Sequence, residues 1–169
     1  MWCYVIDMNE FHVPRYEELP DFPIFIEQLI GIIEAKLAPF FFDEEKIITK
    51  AMINNYVKQG IVRAPEKKKY DRDQIVYIII ICILKKSFTL DEISLVINTV
   101  VNYIDLVTSY NYFCADFEAC LKGIFEKNDI VHTPYNTENK ELVYACQSVM
   151  LTVANKVYLE SIIKQTKNS

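Results

Sequence analysis

The side chains best suited to chemistry in this sequence are bunched between Thr49 and Arg72. Lys50, Lys58, Arg63, Lys67, Lys68, Lys69 and Arg72 lie there, opposed only by Glu66 and Asp71. The whole chain has a formal net charge of -5, so positive charge is segregated into one stretch rather than spread over the surface. Thr49 is an N-cap type, and Gly60 stands where a left-handed residue ends a helix. On the helix between them Ile53, Tyr56 and Val57 share the inward face, which leaves Lys50, Asn54, Asn55 and Lys58 facing out. An asparagine amide pairs bidentately with adenine in the major groove, while lysine contacts guanine or phosphate. Asn54 and Asn55 are therefore candidate base readers. Lys67, Lys68 and Lys69, with Arg63, Tyr70 and Arg72, are candidates for the flanking phosphate backbone. The plain alternative is a solvated surface helix followed by a solvated lysine loop.

No other group of residues carries comparable chemistry. Cys114 and Cys120 with His132 raise the question of a metal site. Six residues apart on a helix, however, the two thiols point to different faces, so buried structural cysteines are the expectation and no metal or cofactor is predicted. Cys3, Cys82 and Cys146 are scattered without a C-x-x-C pair, which indicates neither a disulfide framework nor a zinc knuckle. His12 and His132 lack partners at motif spacing. No nucleophile elbow, phosphate loop or H-E-x-x-H occurs, and three glycines are too few for a phosphate cradle, so no enzyme is expected.

The elements that must position the basic segment follow from local pattern. At 51% hydrophobic, 169 residues bury a core without a disulfide or metal staple. Residues 1–20, with Pro14 and Pro20, read as an irregular arm, and the opening Met1 to Asp7 lacks the basic start of a secretory signal. A first amphipathic helix is predicted from Phe22 to Leu37, with Asp21 capping and Pro23 in its first turn. Asp43-Glu44-Glu45 suggests a short helical turn. Asp71-x-x-Gln74 and Thr89-x-x-Glu92 are capping boxes that open two further helices, and Ile75 to Leu84 between them is too short to span a bilayer. From Ile93 onward Asn98, Asn102, Asp105 and Ser109 draw a polar stripe, read as one amphipathic helix that continues to Lys127. After a break at 128–136 a last helix runs from about Thr137 to Gln165. Its row Leu142, Cys146, Val149, Val153 and Val157, with Met150 and Leu159, is apolar over more than one face, which predicts a homodimer interface.

The segment Met52-Ile53-Asn54-Asn55-Tyr56-Val57 with Gly60-Ile61 resembles the recognition helix and turn of MerR-type winged-helix regulators. Tyr70-Asp71-Arg72-Asp73-Gln74-Ile75 and Ser87-Phe88-Thr89-Leu90-Asp91-Glu92-Ile93 resemble two further segments of that family, in the same order. The run from Thr49 to Lys58, followed by lysines and Tyr70, is more similar still to a bacterial family called domain of unknown function 1836, over roughly residues 20–130. The resemblance implies a MerR-like fold. Departures from true MerR proteins are Asn54 in place of a phosphate-gripping arginine, a wing cut to about Ala64 to Lys69, and a longer first helix followed by an extended linker.

The expectation is an all-α protein: residues 1–20 an arm, 21–97 a MerR-like winged helix-turn-helix with a short wing, and 98–169 a C-terminal pair of long helices for dimerisation. Its expected function is that of a cytoplasmic transcription regulator, in the repressor sense, bound to double-stranded operator DNA as a homodimer and away from membranes. The competing expectation is a helical protein-interaction module that has lost DNA binding.

Overall fold

The computed structural model describes residues 11–42 and 46–167, so Cys3, the opening Met1 to Asp7 and the suggested turn at Asp43-Glu44-Glu45 lie outside the described residues. Among the described residues six helices and two very short strands follow one another: β1 (Ile24–Phe25), α1 (Ile26–Leu37), α2 (Lys50–Lys58), β2 (Lys69–Tyr70), α3 (Arg72–Leu84), α4 (Leu90–Val101), α5 (Leu106–Glu126) and α6 (Lys140–Lys167). Single 3-10 turns lie at Tyr16–Glu18 and Ala38–Phe40. The chain is mainly helical, as expected.

Three of the starts read from local signals form as expected. Thr49 Oγ1 accepts the Met52 N–H, and Asp71 and Thr89 each accept from the third residue of their helix while Gln74 and Glu92 reach back to the cap. Gly60 adopts φ 73 after α2, the left-handed conformation that lets Gly60, Ile61 and Val62 turn back onto Val57 and Tyr56 carbonyls. The isoleucine run is helix rather than strand. From Gln74 to Leu84 every residue except Tyr77 is buried, so α3 lies inside the core.

Two boundaries differ from expectation. Helix α1 begins at Ile26 rather than Phe22, because Ile24 and Phe25 are extended and pair antiparallel with Tyr70 and Lys69. A tertiary ladder displaces the helix start that Asp21 and Pro23 suggested. The amphipathic stretch from Ile93 is two helices, not one: Asp105 accepts the Thr108 N–H and so caps α5, while Asn102 terminates α4. Both polar residues mark a break instead of belonging to a stripe.

The arm expected at residues 1–20 is, from Phe11 onward, part of the body. Phe11, Val13 and Leu19 are buried. Arg15 makes a two-pronged bond to Glu118 at 2.7 and 2.6 Å, Val13 N–H donates to the same carboxylate, and the Tyr110 hydroxyl donates to the Pro14 carbonyl. Tyr16 ties this segment to α3 through Asp73 at 2.6 Å. One apolar cluster then runs from Phe11 through α1, α2, α3, α4 and α5 to Val157 of α6, so the two expected regions share a single core. No described helix is long and apolar enough to cross a membrane.

Candidate nucleic-acid interface

Helix α2 presents the face its spacing dictates. Ile53 and Tyr56 are fully buried and hold the helix on the core, while Lys50, Ala51, Asn54, Asn55 and Lys58 are exposed. The Tyr56 hydroxyl accepts from Lys85 Nζ at 3.4 Å, and burial raises the phenol's pKa, so it stays neutral and structural. Asn54 and Lys58, one turn apart, have no partner among the described residues, and Asn55 Oδ1 accepts weakly from Gln59 at 3.3 Å. Lys50 differs. Its amine bonds Glu27 of α1 at 2.5 Å, which holds the Glu27 carboxyl below its ordinary range.

After Gly60 the chain forms a two-residue hairpin at Glu66-Lys67-Lys68-Lys69. Lys69 N–H donates to the Glu66 carbonyl at 2.8 Å, and Glu66 N–H donates back at 3.1 Å. Lys67 and Lys68 take φ 49 and 65. Positive φ at both central positions is the type I′ turn, whose twist matches that of the strands it joins and which normally calls for Asn-Gly. Neither lysine side chain has a partner among the described residues, and both are exposed. Backbone strain and two free charges therefore coincide at one loop tip.

The base of the hairpin is fixed. Lys69 pairs with Phe25 in the β ladder and sets its amine 4.9 Å above that ring. The buried Gln74 closes the capping box with Asp71 and donates through Nε2 to the Arg63 carbonyl at 2.7 Å, coupling α3 to the segment that leaves α2. Arg63 is paired with Asp71 and Glu66. Tyr70 is only 3% exposed, so it props the hairpin from inside instead of facing a ligand, a correction that follows from its partner Ile24 being buried as well. Arg72 is likewise engaged, donating to the Pro20 carbonyl and lying 5.0 Å from the Tyr16 ring. Of the expected contact residues, Asn54, Asn55, Lys58, Lys67 and Lys68 stand outward with little or nothing to bind, whereas Lys50, Arg63, Lys69, Tyr70 and Arg72 are occupied by the fold. Ala51, which the sequence pattern did not single out, completes the outward face of α2; its i, i+4 relation to Asn55 was the available signal.

The row expected to form a dimer interface lies elsewhere than predicted. Val153 and Val157 are fully buried, Met150 and Leu142 nearly so, and Cys146 and Val149 half-buried, because this face of α6 packs along α5 in the same chain. The surplus apolar surface is on the opposite side. Tyr144, Leu151 and Ile162, separated by seven and eleven residues, return to one outer face with Leu159 beside them, and all four are exposed.

The family model described as a domain of unknown function (DUF1836) matches residues 14–113. That is more than half of the chain, which belongs to this family. The match begins at the buried arm and ends within α5, rather than spanning residues 20–130 as the motifs suggested. No curated protein and no solved structure matches the chain.

Proposed function

We propose that this protein is a cytoplasmic, non-enzymatic transcription regulator of the repressor type that reads duplex DNA with α2, using a MerR-like winged helix-turn-helix whose wing is the 66–69 hairpin. One observation carries the reading: two unpaired lysines held in left-handed conformation at the tip of a tight hairpin, which follows in the chain a helix whose outward face is two amides, a methyl and a lysine. A hairpin shaped for stability alone takes Asn-Gly at those positions. Lysines there cost about 1 kcal/mol each, and strain of this kind is retained where a site uses it. In the reading, Asn54 and Asn55 contact base edges, Ala51 suits a thymine methyl, and Lys58, Lys67 and Lys68 grip phosphates.

A module this small needs two copies. Helix-turn-helix proteins place two reading helices in successive major grooves, roughly 34 Å apart, and a chain of net charge -5 depends on that doubling more than a basic one. The outer stripe of α6, Tyr144, Leu151, Leu159 and Ile162, supplies an apolar surface for the second copy.

The test is a set of binding isotherms on a duplex selected by the wild-type protein. Asn54→Ala or Asn55→Ala, whichever residue reads, should cost about 1 to 3 kcal/mol and relax preference at one base pair. If both variants keep wild-type affinity and preference, α2 is not the reader.

A further inference from the structure

The loop between α5 and α6 is laid back along α5 and brings His132 to two residues one helical turn apart on α5. Lys127 takes a left-handed turn at φ 56, and Asn128 N–H closes onto the Gly123 carbonyl. Gly123 is required there, since a Cβ would stand 2.5 Å from Ile130 Cγ1. The chain then runs antiparallel to the helix, with Ile130 against Gly123, His132 and Thr133 against Asp116, and Asn136 N–H on the Tyr112 hydroxyl. The Tyr135 and Tyr112 rings, 4.8 Å apart, pin its end.

This return sets His132 Nδ1 2.9 Å from Asp116 Oδ1. Cys120, one turn along α5 from Asp116, joins them, and the ligand atoms of Asp116, Cys120 and His132 all lie within 4.8 Å of one another. Asp116 and Cys120 are fully buried, and among the described residues no lysine or arginine approaches the carboxylate. We propose that Asp116, Cys120 and His132 bind one divalent transition-metal ion of the zinc type.

The ligand set and its juxtaposition favour it. A carboxylate, a thiolate and an imidazole are donors of the kind Zn²⁺ accepts, at about 2.0 to 2.3 Å, and a thiolate excludes calcium and magnesium as the natural occupants. Closing the widest separation by roughly an ångström, while the 2.9 Å Asp116–His132 pair opens by a few tenths of one and gives up its hydrogen bond, brings three such bonds to one centre. Cysteine ligates as the thiolate, so metal uptake must release the Cys120 proton. Three protein ligands leave a fourth position for water. The site would fasten the α5–α6 loop to α5, beside an apolar cleft that Tyr135 and Cys146 line together with Ile80, Val100, Phe113 and Met150. It lies wholly beyond residues 14–113, the part shared with the family, and is independent of DNA binding.

The experiment uses the full chain, stripped with a chelator and titrated with Co²⁺ alone, then with Zn²⁺ in competition. One equivalent per chain is expected, with intense visible bands of a tetrahedral ion and a near-ultraviolet thiolate-to-cobalt band, both abolished by Zn²⁺. Cys120→Ser should remove the thiolate band, His132→Gln should weaken Zn²⁺ binding by at least about 100-fold, and Cys82→Ser should change neither. Circular dichroism of each apo variant shows whether it is folded. Folded wild-type protein that takes up no Co²⁺, or a thiolate band that survives in Cys120→Ser, would overturn the assignment.

Discussion

Lys67 and Lys68 occupy backbone positions that few residues other than Gly, Asn and Asp take readily, and their side chains gain nothing from the rest of the described chain in return. If they grip DNA as proposed, stability and binding make opposite demands on the same two residues. Replacing them together by Asn and Gly, the pair the turn type prefers, should raise the stability of the fold by about 1 kcal/mol, read as a higher urea midpoint. The same variant should weaken DNA binding, and its plot of log affinity against log salt should be shallower by about 0.9 for each phosphate it no longer grips. A variant with raised stability and an unchanged salt slope would leave the hairpin as a strained surface turn with no ligand. Lys58, exposed and unpaired on α2, belongs with this pair; Lys50, Arg63, Lys69 and Arg72, bound to Glu27, Asp71, Phe25 and Pro20, do not.

Among the elements, the helix caps make a prediction about acid. Glu18 is held below the ordinary carboxylate range by the Arg15 backbone N–H and then by the His12 side chain, Glu92 by the Thr89 N–H and hydroxyl, and Asp105 by the Thr108 N–H. A carboxylate whose folded pKa lies below its unfolded value stabilises the fold above that unfolded value, and the contribution is lost as pH falls through the folded one. Urea midpoints should therefore fall most steeply below about pH 4, and Glu92→Gln should flatten part of that fall. An acid limb of the same slope in Glu92→Gln would contradict the role given to this cap.

Helix α6 makes a second prediction, because one of its faces is buried against α5 and the proposed dimer would use the other. Val153→Asp puts an unpaired charge into the fully buried face against α5 and should cost about 3 kcal/mol or more, unfolding the chain instead of parting two copies. Leu151→Glu, on the outer stripe, should leave the circular dichroism and thermal midpoint of the fold intact and turn a dimer into a monomer in sedimentation. A wild-type protein that sediments as a monomer at tens of micromolar would show that the stripe holds no second copy.

How far the sequence could be read follows from how far apart the determining residues are. The starts of α2, α3 and α4 were legible because each cap and its partner lie three residues apart, at Thr49 and Met52, Asp71 and Gln74, Thr89 and Glu92. The start of α1 was not, since Phe25 answers to Lys69, and neither was the docking of the arm, where Val13 and Glu118 are 105 residues apart. On α6 the periodicity announced more apolar surface than one face needs; which face meets α5 is settled by packing, and the row expected to face outward lies inward. The Asp116, Cys120 and His132 cluster is hidden in the sequence because Cys114 and Cys120 stand six apart on different faces, while the informative pair is Asp116 and Cys120 at four, and His132 reaches them only through the returning loop.

Across the whole molecule, one continuous core joins the buried arm, the α2 segment and the long α5–α6 pair, so α2 and the hairpin are carried on a shared packed support. If that support delivers α2 into a major groove, a randomised duplex library passed over the full-length protein at low salt, and sequenced after retention, will reveal it. Enrichment of one motif with two-fold symmetry is expected, its half-sites about one helical turn apart, with loss of that enrichment in the Asn54→Ala, Asn55→Ala double variant. A retained pool no different from the input, or the same motif enriched by the double variant, would contradict DNA reading by α2.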